Sequence, residues 1–155
     1  MTWLITFATY RRRPVFDSPE LLEVCASAIQ ETTDRNGYRI YALAIMPDHV
    51  HVVLDAGRSG HKASKVLNNL KGVASRRVFQ ACPGLKLDLN SEHLWADEYQ
   101  AKLLREAQAV ERACRYVDHN PARHALPRQE FPWVPISGLS KGPNPSAAAE
   151  AIGGP

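Results

Sequence analysis

The stretch Ala44-Ile45-Met46-Pro47-Asp48-His49-Val50-His51-Val52-Val53 decides how this chain is read. Side chains alternate along a strand, so His49 and His51 share one face while Val50 and Val52 take the other. Two imidazoles side by side on a rigid strand suit a shared metal ion. They equally suit a pair of half-buried, hydrogen-bonded histidines, and the motif alone does not separate the two. Pro47-Asp48 is short enough to fold the preceding apolar run, 38–46, against the histidine strand, 49–55, as an antiparallel hairpin.

Working outward from the hairpin, residues 3–10 are apolar and β-prone and read as a first strand. Ser18-Pro19 opens a helix, with serine at the cap and proline at the first helical position. Leu21, Leu22, Val24, Cys25, Ala28 and Ile29 recur at helical spacing until Asn36-Gly37 ends the segment. After a loop at 56–60, a second amphipathic helix is expected over 61–81, broken by Cys82-Pro83-Gly84. Segment 86–92 reads either as irregular loop or as a short strand. Leu94-Trp95 and 99–104 look like strand material flanking a turn at Asp97-Glu98. A last helix, 106–119, should stop at Asn120-Pro121. The order β-α-β-β-α-β-α predicts an α+β fold, an antiparallel sheet with helices packed on it. From 135 to 155, Pro, Gly, Ser and Ala dominate, and this tail is expected to be disordered.

Composition narrows the class. A chain of 155 residues is long enough for one domain with a real core. No run approaches the ~20 apolar residues of a membrane span. The start, Met1-Thr2-Trp3-Leu4-Ile5-Thr6-Phe7, has neither the basic region nor the cleavage site of a signal peptide. Three cysteines without a C-x-x-C pair argue for reduced thiols and a cytoplasmic setting, and against a disulfide framework or thiolate-bound zinc. The net charge of +3 is small but unevenly placed. Arg11-Arg12-Arg13 follows the first strand, and the stretch 57–80 carries Arg58, Lys62, Lys65, Lys71, Arg76 and Arg77 without one Asp or Glu. Such patches suit a polyanion, although a solvated helix face has the same composition.

A second constellation lies on the last helix. Tyr116 and Asn120 are four residues apart and project from the same helix face. A tyrosine is a competent nucleophile towards phosphorus, but a free phenol has a pKa of about 10 and needs a metal or a base nearby. Asn120 offers an amide oxygen, a donor that hard divalent cations accept. Two imidazoles and one amide oxygen would leave positions open for phosphate and water, favouring Mg²⁺ or Mn²⁺ over structural zinc. Taken alone, a helical tyrosine is more often a packing residue, and Asn before Pro is a common helix stop.

Together these blocks resemble the HUH single-strand transposases of the smallest bacterial insertion sequences, the IS200-like family. The resemblance runs through Thr6-Phe7-Ala8-Thr9-Tyr10-Arg11-Arg12-Arg13-Pro14-Val15-Phe16, Met46-Pro47-Asp48-His49-Val50-His51, Leu70-Lys71-Gly72 and Leu94-Trp95. It ends in Tyr116-Val117-Asp118-His119-Asn120-Pro121-Ala122-Arg123, which is most similar to the REP-associated tyrosine transposases. It covers about residues 3–126 of a domain expected over 1–134, and it implies a ferredoxin-like sheet with the histidines on a central strand. It also implies Tyr116 as nucleophile, and His49, His51 and Asn120 as ligands of Mg²⁺ or Mn²⁺. The implied reaction cleaves and rejoins single-stranded DNA, hairpin-containing, through a 5′-phosphotyrosine and a free 3′-OH. With one tyrosine per chain, a homodimer is the economical way to handle two strand ends. Neither a membrane nor a small-molecule cofactor is implied.

Arg11, Arg12, Arg13, Lys71, Arg76 and Arg77 are the candidate phosphate contacts, while Tyr10, Tyr41 and Trp95 are candidates for stacking on bases. Tyr99 is a rival nucleophile. A histidine-triad hydrolase would need a third alternating histidine where Val53 stands. A phosphoesterase with two His-x-Ser/Thr motifs fails likewise at His51. The remaining alternative is a domesticated, non-catalytic protein of the same fold that binds DNA hairpins.

Overall fold

The structure, a computed structural model, describes residues 1–134. The tail expected to be disordered lies outside the described residues. The elements run β1 (Thr2–Thr9), α1 (Pro19–Asn36), β2 (Arg39–Met46), β3 (His49–Asp55), α2 (Ala63–Ala81), α3 (Leu85–Leu89), β4 (Trp95–Leu104) and α4 (Ala107–Arg123). The four strands form one antiparallel sheet in the order β2-β3-β1-β4. The expected ferredoxin-like α+β architecture is present, and the histidines lie on an inner strand.

Local chemistry explains the boundaries. The Ser18 hydroxyl accepts the Leu21 N–H at 3.2 Å, capping α1 just before its proline. Gly37 closes that helix at φ 70°, a left-handed position that glycine takes without steric cost. Pro47 and Asp48 make the two-residue turn that sets Met46 opposite His49.

The period-2 pattern gives the sheet two different faces. Trp3, Ile5, Phe7, Val50, Val52 and Leu54 point to one side, where α1 and α2 close the larger core. Each such side chain, once buried, contributes about 1.5–3 kcal/mol. The other side is covered only in part. Ala42, Ala44, Met46 and Val53 meet Ala113, Cys114 and Val117 of α4. Beyond that patch the face is polar.

Three expectations need correction. Segment 86–92 is neither loop nor strand at its start: Leu85 and Leu89, four apart and both buried, fold the short α3. Asp97-Glu98 is not a turn. The strand β4 runs through it, and the surplus residues are taken up where the pairing shifts between Phe7–Tyr99 and Thr9–Trp95. Nor does Asn120-Pro121 stop the last helix, which continues to Arg123 with Pro121 inside. Proline there forfeits one helical N–H near the end of the helix, while Asn120 and Pro121 are both buried against the sheet. The Pro121 carbonyl is then reused, accepting the N–H groups of His124 and Leu126.

The three cysteines form no disulfide, as expected, and burial pushes the Cys25 thiol up to about 12. Among the described residues, no helix is long and apolar enough to cross a membrane.

Candidate active site

Cross-strand register builds the site on the open face. Ala44, His51, Thr6 and Gln100 lie in one row across all four strands. His49 sits in the next row between Met46 and Ala8. The small alanines leave room above the imidazoles. A cavity of about 530 Å³ opens there, lined by residues that include His49, His51, Thr6, Arg12, Gln100, Tyr116, Asn120 and His124.

The imidazoles are held from behind. His51 Nδ1 is 2.9 Å from the Thr6 hydroxyl, and His49 Nδ1 is 2.7 Å from Asp48 Oδ1. Their Nε2 atoms face each other at 3.1 Å, with the ring planes nearly perpendicular at 87°. If each Nδ1 carries its proton towards the oxygen behind it, each Nε2 presents a lone pair to the cavity. Burial, reinforced by the nearby His49, His124 and Arg12, lowers the pKa of His51 to about 4. His51 is therefore neutral at physiological pH, the state a metal ligand requires.

The last helix supplies the other wall. Its buried stripe of Ala113, Cys114, Val117, Asn120 and Pro121 locks α4 onto β2 and β3. Tyr116 stands at the edge of that stripe, 37% exposed. Its ring lies 5.5 Å from the His51 ring centroid, and the Arg123 guanidinium caps it at 5.0 Å. Asn120 is 2% exposed. Among the described residues, its Oδ1 is the buried side-chain atom left without a hydrogen bond. An unpaired buried acceptor costs about 1–3 kcal/mol. The orphaned oxygen, on the cavity that also holds both imidazoles, fits a hard divalent cation. Keeping α4 intact through Pro121 is what leaves Asn120 on the same face as Tyr116.

The structure separates the remaining candidates. Tyr99 borders the same cavity, but it pairs with Phe7 and so points from the opposite face, where Lys71 lies 6.0 Å from its ring. Lys71 is tied to the Ala96 carbonyl at 2.8 Å and borders a groove of about 440 Å³ away from the histidines. Arg77 grips Glu31 of α1 through two contacts, at 3.1 and 2.9 Å, and so works in helix packing. Arg76 is exposed on the same helix. Trp95 is buried against Phe7 and Phe16, which removes it as a stacking platform. Of the basic residues proposed from sequence, Arg12 lines the cavity.

Arg11 and Arg12 are also strained, with φ of 53° and 57°. For side chains other than glycine such backbone costs on the order of 1–2 kcal/mol per residue. Sequence reasoning passed over four residues of the site. Outside the family resemblance, Asp48 reads only as a turn residue, Thr6 and Gln100 only as strand residues, and His124 carries no reading. A partner for a strand histidine could have been sought at Thr6 once the strand order was known. His124, beyond the expected end of the helix, gave no signal.

Known proteins resemble this chain in sequence and in fold. The chain is 31% identical over 80 residues to the ISDra2 transposase TnpA of Deinococcus radiodurans, a match covering 52% of this chain. It spans just over half, 56%, of that relative's length. A solved structure described as a candidate transposase from Deinococcus radiodurans superposes with a TM-score of 0.61 at 26% identity. That match covers 81% of this chain and 85% of the other. The REP-associated tyrosine transposase bound to a REP hairpin shares the fold at 18% identity and a TM-score of 0.61, covering 79% of this chain and 67% of that one. Residues 1–120 match the family described as IS200-like transposase, and the chain belongs to that family.

Proposed function

We propose that this protein cleaves and rejoins single-stranded DNA with Tyr116 as nucleophile, at a divalent-metal site formed by His49, His51 and Asn120. One observation carries the reading. A tyrosine, two imidazoles and an orphaned amide oxygen converge on one cavity from β3 and α4.

The chain's own residues account for most of the chemistry. Thr6 and Asp48 fix the imidazoles so that both Nε2 atoms are available as donors. A cation held by them and by Asn120, Mg²⁺ or Mn²⁺, would supply Lewis-acid charge withdrawal from a phosphate oxygen. Tyr116 lies beside His51, where its hydroxyl can attack a phosphate seated in the cavity. The new bond joins the phenolic oxygen to phosphorus, and the bond to the 3′ oxygen breaks, giving a 5′-phosphotyrosine and a 3′-OH. Because the ester is retained, attack by another 3′-OH reverses the step and joins strands without ATP.

A hairpin-containing strand is the proposed substrate, in line with the hairpin held by the structurally similar REP-associated protein. Two copies of the chain would handle two ends. The reading places the protein in the cytoplasm, with the catalytic domain over 1–134.

The test is to incubate the full chain with end-labelled hairpin DNA and Mn²⁺ or Mg²⁺. A covalent protein–DNA adduct is expected, absent in Tyr116→Phe and preserved in Tyr99→Phe. Hairpin binding without any adduct would overturn the nuclease reading in favour of the non-catalytic one.

A further inference from the structure

Asp48 touches both halves of the machinery. It sits on the two-residue turn between β2 and β3, immediately before the first histidine. Its Oδ1 meets His49 Nδ1 at 2.7 Å, while its Oδ2 faces Arg12 Nε at 3.4 Å. The approach of Arg12 is built into the backbone. Buried Thr9 donates its N–H to the Asp48 carbonyl at 2.9 Å, and its hydroxyl lies 2.7 Å from the Arg13 carbonyl. Between these anchors Arg11 and Arg12 both take left-handed conformations. The chain thus curls back, bringing Arg12 over Asp48 while leaving its side chain 61% exposed at the cavity.

We infer that Asp48 is a shared positioning residue coupling a phosphate subsite at Arg12 to the metal ligand His49. The inference rests on the metal and DNA reading above. A carboxylate behind a ligating histidine fixes its ring and makes the facing nitrogen a better donor. Here the same carboxylate is divided between His49 and a guanidinium suited to bind phosphate. When Arg12 turns to a DNA phosphate, more of the negative charge of Asp48 falls on the His49 N–H. The metal is then held more tightly, and by linkage the metal tightens the grip on DNA. The subsite would take the backbone phosphate next to the one being cleaved.

The test is a metal-binding cycle without DNA, by calorimetric titration of Mn²⁺ into the full-length wild type, Asp48→Asn, Arg12→Ala and the double variant. Asp48→Asn should weaken Mn²⁺ binding about 10- to 100-fold. Arg12→Ala should tighten it roughly two- to threefold when Asp48 is present, and leave it unchanged when Asn replaces Asp48. The same tightening in both backgrounds would mean that only the direct field of Arg12 is felt, and would overturn the coupling. No Mn²⁺ binding by the wild type would instead overturn the metal reading itself. Should Asp48→Asn fail to fold, the His49 ring-proton resonance gives a second readout. It should move downfield in Arg12→Ala, and an unmoved resonance contradicts the inference.

Discussion

The two faces of the sheet carry similar sequence signals and put them to different uses. Both are flanked by basic clusters, and both have a tyrosine that sequence alone could nominate as nucleophile. On the face under α1 and α2 the basic side chains are spent on packing. Arg77 pairs with Glu31 and Lys71 with a backbone carbonyl, while Tyr99, though 43% exposed, has its ring near Lys71 and not near His51. On the face that α4 half covers, the corresponding groups stay available. Arg12 and Tyr116 remain exposed around the histidines, and Asn120 keeps an unused oxygen. Coverage by a second helix is what separates structural from chemical use of the same residue types.

The largest expected effect lies on the open face. Losing either histidine by His49→Ala or His51→Ala should cut adduct formation by about 10³-fold or more, read as labelled adduct on a denaturing gel. Thermal unfolding of the apoprotein should change far less. The closed face should behave in the opposite way. Ile5 is fully buried, and Ile5→Ala should cost about 2–5 kcal/mol by urea unfolding. Mn²⁺ affinity of the folded fraction should hold. An Ile5→Ala variant that keeps its stability but loses metal would break the comparison.

His51 gives a pH test of similar size. In the unfolded chain it takes a proton near its ordinary pKa of 6.5, but in the fold only at about 4. Between those values the unfolded state binds more protons, so stability rises with pH. The contribution is complete above pH 6.5 and falls away as pH drops to about 4, a loss on the order of 3 kcal/mol in the apoprotein. Urea unfolding at pH 7 and at pH 4.5 should show this loss in the wild type and a smaller one in His51→Asn. The smallest effect contrasts the basic clusters. Arg12→Ala should lower the salt dependence of hairpin binding by about one counterion, whereas Arg77→Ala should leave it unchanged. Equal slopes for the two would mean that DNA contacts both faces.

Much of this was legible from sequence because the informative signals were local. The alternation around His49 and His51 fixed which side chains share a face, and Ser18, Pro19 and Gly37 fixed one helix. Four residues apart on one helix, Tyr116 and Asn120 reach the same cavity. What stayed hidden depended on distant residues. Proline is read as a helix stop by its missing N–H, yet tertiary burial of Asn120 and Pro121 carries α4 past it. The shift in β4 exists only relative to β1. Arg77 looked free because its acidic partner, Glu31, is 46 residues away. Asp48 read as a turn former, since its second role needs Arg12 folded back upon it.

The central claim is that His49, His51 and Asn120 hold one metal ion beside Tyr116. Anomalous diffraction from crystals of the full chain soaked in Mn²⁺ tests it most directly. The account predicts a single peak in this cavity, about 2.1 Å from both Nε2 atoms and from Asn120 Oδ1. A metal bound elsewhere, or one bound by the histidines with Asn120 turned away, would contradict it.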